Sequence, residues 1–257
     1  MNKVIARLDD VSLIYHEPRA ETLAVSGISF NVKEGEFISL VGPSGCGKTS
    51  ILSMLAGISE ASSGEVRVLG ARPEPATSDI GYMLQTDSLL DWRTIEGNVL
   101  LGLEVKHKLS KKTRSYAEEL IEKYGLFEFS EHYPRQLSGG MRQKVALIRT
   151  LVFKPKLLLL DEPFSALDYQ TRLLLADEVH SIIKHGGYTA VLVTHDISEA
   201  VSMSDRIIIL TSRPATIMRE IKVDLPGETP LERRSSPLFK DYFNEVWKVM
   251  MQNESFN

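Results

Sequence analysis

Residues Gly42-Pro43-Ser44-Gly45-Cys46-Gly47-Lys48-Thr49 carry the spacing G-x-x-x-x-G-K-[ST]. Glycines at these intervals let a backbone curl until successive N–H groups point into one concavity, where they can hold phosphate oxygens. In such a loop Lys48 reaches the β- and γ-phosphates of a nucleotide, and the Thr49 hydroxyl is placed to ligate Mg²⁺. The nucleotide-binding set is therefore Gly42, Pro43, Ser44, Gly45, Cys46, Gly47, Lys48 and Thr49, together with Ser50, which follows directly.

A second segment, LLLLDEP (157–163), supplies the other half of a hydrolysis site. Four aliphatic residues predict a buried strand whose C-terminal end delivers Asp161 and Glu162 to the crevice where ligands bind in α/β sheets. Asp161 can hold the hydration shell of Mg²⁺. Glu162 can take a proton from an attacking water. A third segment, YPRQLSGGMRQKVALIRTL (133–151), puts Ser138-Gly139-Gly140 at the start of an amphipathic helix. Free N–H groups and the positive end of the helix dipole coincide there, so this is a second anion cradle.

These loops need a frame. EFISLVG (36–42) predicts a strand entering the first cradle, and KTSILSMLAG (48–57) predicts a helix leaving it, stopped by Gly57. EVRVLG and IGYML predict short strands; SKKTRSYAEELIEKYG (110–125) predicts a Ser-capped helix. From about Thr94 to Leu151 the pattern is mainly helical, as an inserted subdomain would be. Strands return as LLLLD, TAVLVTH and RIIILT, separated by helical runs at 168–184 and 196–204. Strands alternating with helices predict an α/β core with a mostly parallel sheet. The tail PLFKDYFNEVWKVMM (237–251) spaces Phe239, Phe243, Val246, Trp247 and Met250 along one helical face, expected to pack on the chain's own body.

Composition narrows the classes. The chain has 257 residues, 25% charged and 43% hydrophobic, with a formal net charge of -4 and no basic stripe, so no nucleic-acid partner is expected. One cysteine, Cys46, excludes an internal disulfide and points to an intracellular setting. The N-terminus lacks the apolar centre of a secretory signal, and no apolar run approaches the roughly 20 residues that span a bilayer.

With both nucleotide motifs and LSGGMRQ in one chain, the sequence resembles the ATP-binding cassette (ABC) ATPases over nearly its whole length. The resemblance implies an α/β fold: a P-loop nucleoside triphosphatase core of mostly parallel sheet with flanking helices, an N-terminal antiparallel β portion and an inserted helical subdomain. It implies a single domain over 1–257, with a RecA-like core at about 1–90 and 155–225, a helical subdomain at about 91–154 and a C-terminal helix at about 237–251. It implies that Tyr15 stacks on adenine and that Gln85, at the junction of core and subdomain, takes part in catalysis and metal ligation. Ser165-Ala166-Leu167-Asp168 matches the loop after the catalytic glutamate, and His195 the family's γ-phosphate histidine. The catalytic set is then Glu162, His195, Gln85 and Lys48, and the metal set Thr49, Gln85 and Asp161. Residues Ser138, Gly139 and Gly140 would contact the γ-phosphate held by a second copy, so that a head-to-tail pair encloses two ATP molecules.

A cassette of this size without membrane helices resembles the energising subunit of an importer, on the cytoplasmic side of the membrane. Its partners would be an integral membrane permease and, indirectly, an extracytoplasmic solute-binding protein. DEPFSALDYQTR (161–172), VTHDISEAVSMSDRIIILTSRPATI (193–217) and VDLP (223–226) resemble the nitrate, sulfonate and taurine importer group. TDSLLDW after Gln85 departs from that group, which commonly has a proline before the tryptophan. The alternative is a cassette ATPase with a regulatory or binding role outside transport.

Overall fold

The computed structural model describes residues 3–17, 20–75 and 77–254, so the expected domain limits at 1 and 257 lie outside the described residues. Two sheets form the frame. Strands β1 (Val4–Glu17), β2 (Ala20–Lys33) and β4 (Ser63–Val68) make an antiparallel sheet in the order β2-β1-β4. The second sheet holds β3 (Phe37–Val41), β5 (Ile80–Met83), β6 (Leu157–Asp161), β7 (Thr189–Val193), β8 (Arg206–Leu210) and β9 (Ile217–Lys222), ordered β5-β6-β7-β3-β8-β9. It is parallel except for the β8–β9 pair.

Buried strands explain the continuous apolar runs seen in the sequence. Every residue of β3, β6 and β7 is buried. Because side chains alternate across a strand, Leu158 and Leu160 of β6 join a core with the helices. Leu157 and Leu159 join a separate core with the antiparallel sheet. Ala190/Leu192 and Val191/Val193 of β7 divide the same way. The parallel sheet is thus a wall covered on both faces.

Helix α1 (Lys48–Leu55) leaves the β3 loop and packs with the antiparallel sheet. Helices α2 (Ile95–Val105), α3 (Lys111–Lys123) and α4 (Gly139–Leu151) cover the other face with α5 (Tyr169–His185). Side chains cap these helices: Ser110 caps α3 as the sequence predicts, and Thr94, Ser138 and Asp168 cap α2, α4 and α5. Helices α6 (Ile197–Met203), α7 (Pro230–Ser235) and α8 (Phe239–Glu254) complete the chain.

Helix α8 packs on the chain's own body, but its buried face differs from the expected one. Val246 and Val249 are buried, with Phe239, Tyr242, Phe243 and Met250 beside them. Trp247 lies off that face, half exposed and stacked on Phe243 at 6.4 Å and 8°.

Candidate functional site

Four consecutive parallel strands end on one edge of the sheet. Met83 of β5 is level with Leu160 of β6, Asp161 with Val193 of β7, and Val193 with Leu40 of β3. The segments that follow, carrying Gln85, Glu162, His195 and the Lys48 loop, therefore emerge side by side. This is the carboxyl-end crevice that open α/β sheets use for ligands.

The loop at the end of β3 is shaped by glycine. Gly45 and Gly47 have φ of 70° and 126°, and a Cβ on Gly47 would stand 2.9 Å from the Ala24 carbonyl. Lys48 is buried and donates from Nζ to the carbonyls of Gly42 (2.9 Å) and Pro43 (2.8 Å), so its ammonium spans the loop mouth. The Cys46 side chain is buried in the core beneath, and burial pushes its thiol pKa up. That refines the expected binding set, since only the Cys46 backbone can face a ligand. Tyr15 on β1 is exposed and donates to Ser50 Oγ at 3.0 Å, which holds the ring beside the start of α1.

Asp161 joins the loop to β6. Thr49 Oγ1 donates to Asp161 Oδ1 at 3.2 Å, and Tyr82 OH donates to Oδ2 at 3.4 Å. Burial raises the Asp161 carboxyl above its ordinary pKa, and the Thr49 hydrogen bond opposes the rise. Burial, reinforced by the Asp161 charge, pushes the Tyr82 phenol up to about 12. Hydroxyl and carboxylate oxygens are hard donors of the kind Mg²⁺ takes, usually completed by waters and substrate phosphates. Among the described residues no group of three or more His, Cys, Asp or Glu side chains could hold a metal alone. The Thr49–Asp161 pair fits Mg²⁺ as a site that phosphate oxygens complete.

Glu162 has φ of 45°, a conformation rare outside glycine. Its amide donates to the Val193 carbonyl at 2.9 Å, and its own carbonyl accepts from Ser165 Oγ at 3.0 Å, so the turn is tied on both sides. Two side chains then meet at its Oε2: Gln85 Nε2 at 3.3 Å and His195 Nδ1 at 3.0 Å. A proton on Nδ1 makes this contact a hydrogen bond donated to the Glu162 carboxylate. His195's side chain is 56% exposed and that of Glu162 20%.

Ser138 caps α4 by accepting from the Met141 amide. Among the described residues no hydrogen bond joins Ser138, Gly139 or Gly140 to Lys48, Asp161, Glu162 or His195. They abut the segment after Glu162 instead: a Cβ on Gly139 would come 3.1 Å from Leu167, and one on Gly140 2.8 Å from Thr171. Ser138 itself is exposed.

Sequence reasoning missed several ties. Arg142 Nε donates to Asp87 Oδ2 (3.0 Å), and Arg149 donates to the carbonyls of Asp87 (2.6 Å) and Ser88 (2.8 Å). These bonds connect α4 to the segment after Gln85. Tyr82 on Asp161 was also missed; its place on a short strand carries no spacing signal. Of the residues after Gln85, Leu89 packs against the helical core, whereas Trp92 is 74% exposed. Trp92 therefore stands outside the core.

A parallel sheet whose carboxyl edge gathers a glycine loop with a buried lysine, a Thr–Asp pair and a histidine-held glutamate defines a P-loop nucleotide hydrolase. The family described as ABC transporter matches residues 25–165, more than half the chain. An uncharacterized ABC transporter ATP-binding protein of Bacillus subtilis is 46% identical over 95% of this chain and 94% of its own. A nitrate import ATP-binding protein of Synechocystis is 37% identical over 96% of each. An ATP-binding cassette solved as a dimer in a post-hydrolysis state with ADP and Pi matches with a TM-score of 0.72 and 30% identity, over 86% of this chain and 99% of that one. The chain belongs to the ABC transporter family, as an ATP-binding subunit that hydrolyses ATP.

Proposed function

We propose that this subunit powers an importer of small solutes of the nitrate, sulfonate or taurine kind, docked on a permease at the cytoplasmic face of the membrane. Among the described residues no helix is long and apolar enough to cross a membrane. The observation that carries the proposal is the meeting of Gln85 and His195 on one oxygen of Glu162, because Gln85 also opens the segment that ends in exposed Trp92. A change at the phosphate end of that segment can then be felt at its outer end.

In this reading the loop Gly42 to Thr49, with Ser50, holds the phosphates of ATP through its backbone N–H groups, Pro43 having none, and Lys48 swings from the Gly42 and Pro43 carbonyls to the β- and γ-phosphates. Tyr15 stacks on adenine. Thr49 and Asp161, with Gln85 at the edge, would hold Mg²⁺, which would supply charge neutralisation at the phosphates. Glu162 accepts the proton of the attacking water, and His195 fixes the carboxylate through Nδ1 and, with its ring carrying both protons, donates from Nε2 toward the γ-phosphate. Ser138, Gly139 and Gly140 complete the site of a second copy, so the working unit is a head-to-tail dimer. The core at about 1–90 and 155–225, the helical part at about 91–154 and the C-terminal helix at about 237–251 form one domain. A solute-binding protein outside the membrane selects the cargo.

The test is ATP-driven uptake by the subunit reconstituted with its permease and solute-binding protein in liposomes. Wild type should accumulate the solute only with ATP and Mg²⁺, and Lys48→Ala should lose nucleotide binding and uptake together. Full uptake with Lys48→Ala would remove this subunit from the energising role.

A further inference from the structure

The turn Thr211-Ser212-Arg213-Pro214-Ala215-Thr216 joins β8 to β9. Its tip reaches the phosphate loop. Arg213 donates from Nε (3.1 Å) and Nη2 (2.8 Å) to a single acceptor, the carbonyl of Gly45. We infer that Arg213 is a positioning residue for nucleotide binding, a strap that holds the phosphate loop in its receptive shape. The inference rests on the reading of Gly42 to Thr49 as the phosphate cradle.

A peptide unit is planar, with C=O and N–H on opposite sides. A loop that turns amide N–H groups inward must turn the matching carbonyls outward, where they need partners. Gly45, at φ 70°, is such a place: its backbone belongs to the region only glycine visits freely, and it has no side chain of its own to fix it. A guanidinium with two donors on the Gly45 oxygen fixes the peptide that carries the Cys46 amide. The N–H of that same peptide, on Cys46, donates to the Pro43 carbonyl at 3.3 Å, so fixing the Gly45 oxygen also fixes the internal turn that shapes the loop. The same charge adds to the positive potential felt by a polyphosphate.

The strap has a firm base. Thr211 Oγ1 accepts from the Thr216 amide (2.9 Å) and bonds the Pro214 carbonyl (3.1 Å), closing the turn on itself. The Ala215 amide donates to Ala24 O, and Ser26 donates to Ala215 O, both at 2.9 Å, fastening the turn to β2. Gly47, two residues past the strap point, is wedged under the same Ala24 carbonyl and Ala215. Strand β2 also pairs with the part of β1 that bears Tyr15, opposite Thr22. One turn therefore sets the phosphate loop and the base-binding side of the site relative to each other. A free solvated arginine would have none of these connections.

The experiment titrates a fluorescent ATP analogue against the full-length protein, alongside steady-state ATP hydrolysis and the Tm without nucleotide. Arg213→Ala should raise Kd and KM about tenfold, the cost of a charged hydrogen bond, with kcat at saturating ATP within about twofold. Arg213→Lys, with one point-like donor, should recover part of the loss. Lys48→Ala is the control: if it binds the analogue normally, the phosphate-cradle reading has failed and the strap with it. If Lys48→Ala loses binding while both Arg213 variants keep the wild-type Kd, the strap alone is refuted. A fall in nucleotide-free Tm with KM unchanged also overturns it, because that is what a purely structural contact gives.

Discussion

Trp92→Ala separates two physical roles that exposure distinguishes. The side chain is 74% exposed, so truncation removes little packing, and the cost to the isolated subunit should stay within the ±0.5 kcal/mol or so typical of surface positions. An aromatic side chain buries about 150–250 Å² when fully covered. Scaled by the exposed 74%, a partner could cover about 110–185 Å² of Trp92. At about 25 cal/mol per Å² that is a ceiling of about 3–4.5 kcal/mol. Ordering and desolvation take part of it, leaving about 2 kcal/mol, or roughly 30-fold in Kd. The assay is association of wild-type and Trp92→Ala subunits with the permease in nanodiscs by biolayer interferometry, with Tm measured on the same preparations. An unchanged Kd, or a Tm that drops by several degrees, would refute the reasoning: the tryptophan would then contribute nothing to docking or would belong to the core.

Two further outcomes follow from the geometry. His195→Ala removes one of the two contacts on Glu162 Oε2 and should slow single-turnover hydrolysis by at least about 100-fold; a rate within threefold or so of wild type would detach His195 from the chemistry. Burial, reinforced by the Arg233 and Lys184 charges, pushes His180 down from 6.5 to about 4, and neither ring nitrogen has a hydrogen-bond partner. The folded chain thus refuses a proton that the unfolded chain accepts, so stability is intact above pH 6.5 and falls as pH drops toward 4, by about 3 kcal/mol at the lower end. His180→Leu should abolish that share of the acid loss in urea titrations at pH 7 and pH 4.5; parallel wild-type and variant curves would contradict it.

The sequence made the frame legible where burial leaves few choices. Strands β3, β6 and β7 are covered on both faces, so their residues are mostly aliphatic, and the cap residue Ser110 marks the start of its helix by local hydrogen bonding. The Lys48 loop and the Asp161-Glu162 pair were legible because fixed spacing is itself the chemistry. What was illegible depends on contacts across long sequence separations: Arg213 on Gly45, Tyr82 on Asp161, and the Arg142 and Arg149 ties to the 87–88 segment. The face of α8 was read by periodicity, yet Trp247 fell outside it, since helical spacing alone cannot say how far a buried stripe extends around the helix. Exposure of Trp92 was equally hidden, because apolar type does not reveal which neighbours cover a side chain.

In the proposed function one chain carries two halves of a shared site, the Lys48 cradle and the Ser138-Gly139-Gly140 cradle. Size-exclusion chromatography with light scattering on Glu162→Gln tests it most directly, since an amide cannot accept the proton from water and ATP persists in the site. The protein should have one chain's mass without nucleotide and two chains' mass with ATP and Mg²⁺, reverting to one in the double variant Glu162→Gln/Ser138→Arg. A Glu162→Gln protein that stays monomeric in millimolar-range ATP while binding it fully would contradict the shared site.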